Sequence, residues 1–193
     1  MGIPIPGKPV GYRRGRCEAP VQVTAFVDIE CPFSKKAWST LLALSDHYGA
    51  EKVGITVCPT VLCDHRQSWD LLRAAVWLAH GDATTFWNFL TFLYERQEKF
   101  ANEAFDDQTR QDLYQMIEGF IAEFTGKPVD PNLGDRLTQE ALITAAKEPV
   151  RFAISQGVWS TPTFFINGGE ADQLSSSSHL KDWQEVLDAL LDR

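Results

Sequence analysis

The chain has 193 residues, 44% of them hydrophobic and 11% aromatic, so it can bury one substantial core, as a single domain or one domain with an insertion. A formal net charge of -8, with Tyr12-Arg13-Arg14-Gly15-Arg16 as its one basic cluster, argues against a nucleic-acid partner. No run approaches the roughly 18 apolar residues of a membrane span, and the first sixteen residues lack the apolar centre of a secretory signal, so the expected setting is cytoplasmic with no membrane partner.

Residues 1 to 16, rich in Pro and Gly, read as an extended surface arm. Residues 21–27, VQVTAFV, have the branched and aromatic content of a largely buried strand, which ends at Asp28. Pro32 then stands where a first helical residue favours proline, and Trp38, Leu41, Leu42, Ser45 and Tyr48 form a helical stripe up to Gly49. Residues 52–59, KVGITVCP, are a second strand. A right-handed crossover makes the two strands parallel and brings Cys31 and the loop carrying Cys58 and Cys63 to one edge of the sheet.

From residue 66 to about 147 the pattern is helical only. The stripes are Trp69, Leu72, Val76 and Ala79; Phe86, Phe89, Leu90 and Leu93; then Leu113, Ile117, Phe120, Ile121 and Phe124. Turn signals separate them at Gly81, at Asp106 and in GKPVDP, residues 126–131, and a weaker helix passes through Leu137, Ala141 and Ala145. The aromatic residues of this block read as core. A short helix is expected around Pro149 to Gln156, a strand over 161–167, a hairpin turn at Asn167-Gly168 and a last amphipathic helix through Leu180, Trp183, Leu187 and Leu190.

The order β-α-β, helical block, helix, β-β-α, with a cysteine at the first strand-to-helix turn and Thr161-Pro162 before the third strand, resembles the thioredoxin superfamily and its DsbA-like branch. APVQVTAFVDIECPFS is similar to that family's first strand and active-site turn, and GVWSTPTFFINGG to its cis-proline loop and hairpin; PTVLCDHRQSWDLLRAA is a looser likeness to the entry of the helical insertion. The resemblance implies an α/β, thioredoxin-like fold formed by residues 1–65 and 147–193, with an inserted all-helical domain at 66–146. It implies a thiol–disulfide oxidoreductase whose partners are protein or small-molecule thiols and disulfides. It also sets Thr161 and Pro162, with Pro32 and Phe33, at the substrate-binding surface beside Cys31, and makes Thr161-Pro162 a cis bond. The departure lies at Ser34, which occupies the place of the family's second cysteine in Cys31-Pro32-Phe33-Ser34.

A sulfur at a helix N-terminus meets unsatisfied backbone N–H groups and the positive end of the helix dipole, which favour the reactive thiolate. Lys35 and Lys36 add positive charge, Glu30 opposes it, and the Ser34 hydroxyl is expected to donate a hydrogen bond to the sulfur; Cys31 itself is expected at an exposed edge. In a dithiol protein the second cysteine releases the substrate from the mixed disulfide. Ser34 cannot, so release falls to an outside thiol such as glutathione, as co-substrate, or to another cysteine of the chain. Cys63 is the candidate resolving residue; Cys58 has the setting of a core residue, and Cys17 has no evident partner. The spacing of Cys58, Cys63 and His65 matches no usual zinc pair, so no metal and no bound cofactor are expected. CPFS is similar to the CGFS of monothiol glutaredoxins over only four residues. Two other functions stand beside the oxidoreductase: a non-catalytic thioredoxin-fold module that binds peptides or proteins, and a glutathione transferase-like enzyme, which fits less well because the serine of the kappa class takes the place of Cys31.

Overall fold

The computed structural model describes residues 5–128 and 132–192. Among the described residues five strands, numbered in chain order, form one sheet in the order β1-β3-β2-β4-β5. The two central strands are β2 (Val21–Val27) and β3 (Val53–Pro59), parallel in register from Val21 opposite Val53 to Val27 opposite Pro59. The helix α1 (Pro32–Lys52) connects them and breaks at Gly49, whose φ of 68° is open to glycine without a steric cost. β3 is buried along its whole length, whereas β2 buries Val21, Val23, Ala25 and Val27 on one face and leaves Gln22 and Thr24 half-buried on the other.

Part of the expected arm is a strand: β1 (Tyr12–Arg14) pairs antiparallel with β3, Tyr12 opposite Val57. Its polar residues gave no alternating pattern, and what holds it is long-range. The Tyr12 ring stacks on Phe86 at 3.6 Å between centroids, and Trp87 Nε1 donates to the Tyr12 carbonyl at 2.9 Å.

The helical block consists of α2 (Ser68–Ala79), α3 (Ala83–Glu95), α4 (Arg110–Thr125), α5 (Leu133–Leu137) and α6 (Glu140–Ser155), with short 3₁₀ turns at Gln97–Lys99 and Asn102–Phe105. Residues 129–131 of the expected turn lie outside the described residues. The two helices expected on either side of residue 147 are one: α6 runs through Pro149. A proline inside a helix costs about 3 kcal/mol. Here Ala146, Pro149 and Ala153 are buried, and the helix packs on both α2 and β3.

The strand β4 (Thr163–Ile166) lies antiparallel to β2, and the two-residue turn Asn167-Gly168, both at positive φ, returns the chain as β5 (Gly169–Glu170). The returning strand is only two residues long. The final helix, α7 (Leu180–Leu191), starts after His179, whose N–H donates to Asp182 at 2.7 Å, and buries Trp183 and Leu187. The core is continuous from the sheet into the helical block. Trp38 of α1 lies 4.9 Å from Trp87 and 5.4 Å from Tyr94 between ring centroids, and donates from Nε1 to Thr91 at 2.8 Å. These contacts fix α3 against the helix that begins at Cys31.

Candidate active site

The site grows out of the corner between β2 and α1. Cys31 is the N-cap of α1, in extended conformation, and Pro32 is its first residue. The cysteine N–H donates to the Asp28 carbonyl at 3.2 Å, and its carbonyl accepts the Lys35 N–H at 3.1 Å, the first bond of the helix. From the other end of the chain, Thr161 meets the sulfur: Cys31 Sγ donates to the Thr161 carbonyl at 3.2 Å. The Thr161-Pro162 peptide bond is cis. Residues 130 positions apart in sequence thus share one contact, while the Thr161 hydroxyl is buried with no partner.

Two expectations at the corner are corrected. Cys31 is 2% exposed, not at an open edge, because Thr161 lies across the sulfur and Gln97 closes the corner by donating its side-chain amide to the Ile29 and Cys31 carbonyls at 2.9 and 3.0 Å. Ser34 does not hydrogen-bond the sulfur: it is fully buried, and its Oγ accepts the backbone N–H of Asp28 at 3.2 Å. A residue three positions into a helix points toward the preceding turn, and here that turn carries an N–H needing an acceptor. Pro32 and Phe33 are exposed, Phe33 by 59%, and Trp159 stands out at 85% two residues before Thr161.

The lysines serve neighbours: Lys35 lies 3.7 Å from Glu98, and Lys36 donates to Ser177 at 2.8 Å. Glu30 turns inward. Its carboxylate accepts the N–H groups of Gln67 and Ser68 at 2.9 and 3.1 Å, capping the start of α2. Burial raises its pKa, which these bonds and the charge of His65 partly offset.

Asp28 is the hub beneath the corner. Wholly buried, its carboxylate accepts the N–H of Glu30 at 2.8 Å and of Leu62 at 2.7 Å, together with the Ser68 hydroxyl, and its second oxygen lies 3.0 Å from His65 Nδ1. Its backbone carbonyl also accepts the Tyr94 hydroxyl at 3.0 Å. The Asp28 carboxylate raises the His65 pKa against the opposing effect of burial; burial also raises that of Tyr94 well above its ordinary value. Asp28, Gln67, Ser68, Tyr94 and Gln97 did not emerge as site residues from the sequence, and Glu30 entered only as a charge opposing the thiolate. The available signal was a pair of carboxylates within three residues of a cysteine at the end of an otherwise apolar strand.

All four cysteines are free thiols. Cys63 is exposed in the loop after β3, two residues before His65. Cys58 is buried in the core with its Sγ 3.6 Å from the Pro149 carbonyl, and burial drives its pKa far up, which makes it inert. Cys17 is exposed and donates to Glu18 at 2.8 Å.

Known proteins of similar sequence and shape agree with this layout. A family model described as Thioredoxin matches residues 8–189. Among solved structures, a putative protein-disulfide isomerase from Pseudomonas syringae is 23% identical with a TM-score of 0.77, covering 92% of this chain and 97% of its own. Oxidised BdbD from Bacillus subtilis is 20% identical with a TM-score of 0.72, covering 95% and 94%. Alpha-DsbA1 from Wolbachia pipientis is 17% identical with a TM-score of 0.72, covering 98% and 94%. A curated relative, the Na(+)/H(+) antiporter NhaA of Herminiimonas arsenicoxydans, is 25% identical over 159 residues, which are 82% of this chain and 22% of that protein; the chain thus spans about a fifth of that relative's length. Among the described residues no helix is long and apolar enough to cross a membrane. With a family model matched along nearly its whole length, this chain belongs to the thioredoxin family, and it has the DsbA-like form of the fold, an α/β sheet with a helical insertion.

Proposed function

We propose that the protein is a thiol–disulfide oxidoreductase that works through one nucleophilic cysteine, Cys31, and passes through mixed disulfides with its substrates. The observation that carries this reading is the contact of a free Cys31 thiol, at the N-terminus of α1, with the Thr161 carbonyl. That arrangement sets the sulfur at the positive end of the α1 dipole and beside the segment that leads into β4. A cysteine-containing chain laid along the Thr161-Pro162 segment before β4 would meet the sulfur there, with Phe33 and Trp159 exposed nearby in sequence as apolar contacts. Attack by the Cys31 thiolate on a disulfide forms a new S–S bond and expels the other sulfur as a thiolate. Ser34, buried on Asp28, contributes to holding the corner and not to release. Release then falls to a second thiol: a small one such as glutathione, or Cys63.

The test is mass spectrometry of the protein after exposure to oxidised glutathione and to a disulfide-linked peptide. A mixed disulfide at Cys31 that disappears in Cys31→Ala and is discharged by added thiol supports the reading. The 2% exposure of Cys31 favours a second reading, a binding module that retains the docking face without turnover. Peptide binding by the parent protein and by Cys31→Ala alike, with no adduct at Cys31, would establish that instead.

A further inference from the structure

Beside the Cys31-Pro32 corner opens a cleft of about 380 Å³, with Pro32 and Lys35 of α1 on one wall and His65 on another. His65 stands beside a fixed carboxylate. Its Nδ1 lies 3.0 Å from Asp28 Oδ2, at ion-pair distance without the alignment of a hydrogen bond, and that carboxylate is fixed by the N–H groups of Glu30 and Leu62. The side chain is 13% exposed. A carboxylate beside Nδ1 favours the proton on that nitrogen, which leaves the lone pair on Nε2, and the residue lines the cleft.

A monothiol enzyme lacks a group that an outside thiol needs. Free thiols, with a pKa of about 8.5, are mostly protonated near neutral pH, whereas the attacking form is the thiolate. We propose that His65 is the general base of the release step: a small thiol entering this cleft gives its proton to Nε2. Its thiolate then attacks the substrate sulfur of the Cys31 mixed disulfide. One S–S bond forms between the incoming and substrate sulfurs, and the bond to Cys31 breaks with its electron pair on Cys31. The incoming sulfur is oxidised, Cys31 is reduced to thiolate, and the proton passes from His65 to water, so no other oxidant or reductant enters. The charges facing the ring are Asp28 and Glu30 from the corner, Asp64 from its own loop, and Lys35, Glu98 and Glu103 across the cleft. The carboxylates nearest the ring keep its proton affinity above that of a free imidazole, against the effect of burial. This role rests on Cys31 forming mixed disulfides.

The experiment separates the two half-reactions in the full chain carrying Cys17→Ser and Cys63→Ser. Formation of the Cys31–glutathione disulfide and its discharge by 2-mercaptoethanol are followed by mass spectrometry for the parent, His65→Asn and His65→Gln. Both side-chain amides retain a donor for Asp28. Expected are formation rates within about twofold of the parent, and discharge slowed by about 10²-fold with loss of the neutral inflection in its pH–rate profile. Unchanged discharge in a variant that forms the adduct normally overturns the role of His65 alone, as does an equal fall of both half-reactions. A parent that forms no adduct at Cys31 overturns the single-cysteine mechanism, and this role with it.

Discussion

The hydroxyl of Ser34, the residue three places after the nucleophile, is buried and accepts the backbone N–H of Asp28 at 3.2 Å. The position therefore serves the backbone of the corner. Ser34→Cys puts a second sulfur in the first turn of α1 after Cys31 and exchanges an oxygen acceptor for a weak one. The expected outcome is dithiol behaviour: insulin reduction that the parent does not show, and a loss of stability of about 1 kcal/mol in the reduced form. Turbidity of insulin and urea unfolding under reducing conditions measure the two. Equal insulin reduction by parent and variant would mean that another cysteine already resolves the intermediate.

Thr161 offers a separate test, because its carbonyl and its hydroxyl have different fates. The carbonyl receives the Cys31 thiol, while the hydroxyl is buried with no partner. Leaving such a group unsatisfied costs about 1–3 kcal/mol, so Thr161→Val, of nearly the same shape, is expected to unfold at an equal or higher temperature with mixed-disulfide formation at Cys31 preserved. A fall in melting temperature would show that the hydroxyl is satisfied after all.

Asp28 is surrounded by donors: two backbone N–H groups, the Ser68 hydroxyl and the His65 ring. In Asp28→Asn an amide nitrogen must face at least one of them. Loss of about 1–3 kcal/mol is expected, read from urea unfolding, because a buried donor left facing a donor costs its desolvation. A variant as stable as the parent would show that the corner rearranges around the amide.

These tests concern residues that the sequence marked unequally. Strands β2 and β3 and their parallel pairing were legible because apolar runs and a connecting helical stripe are local patterns. Cys31, Thr161 and Pro162 were legible through family likeness, which joins segments 130 residues apart that no periodicity connects. The arm around Tyr12 looked like loop because its place in the sheet depends on Phe86 and Trp87, far away in sequence. The separate short helix expected around Pro149 to Gln156 is instead the end of α6, where Pro149 is buried inside the helix. Spacing alone pairs Ser34 with the sulfur; the competing donor, Asp28 N–H, appears once the turn is folded. The Asp28–His65 pair escaped for the same reason, since two ordinary polar residues 37 positions apart acquire meaning only when the loop after β3 folds back over the end of β2.

The same pair sets how stability depends on pH. His65 is raised above its ordinary 6.5, chiefly by the Asp28 carboxylate, so the folded state binds the imidazole proton more tightly than the unfolded chain does. Stabilisation from this group is then complete below 6.5 and is lost as pH rises through the folded value. Glu30 has the same sign for a different cause. Burial raises its pKa above the ordinary 4.5, so its contribution is complete below 4.5 and falls as pH climbs through its folded value. The two effects separate because they begin about two pH units apart. Urea unfolding of the parent across mildly acidic to mildly alkaline pH is expected to show decreasing stability through the neutral range. The difference between parent and His65→Gln isolates the imidazole and should shrink with rising pH, whereas Glu30→Gln should leave the neutral-range slope in place. A parent-minus-variant difference for His65→Gln that is constant with pH, or grows, would mean that Asp28 does not hold the proton on His65.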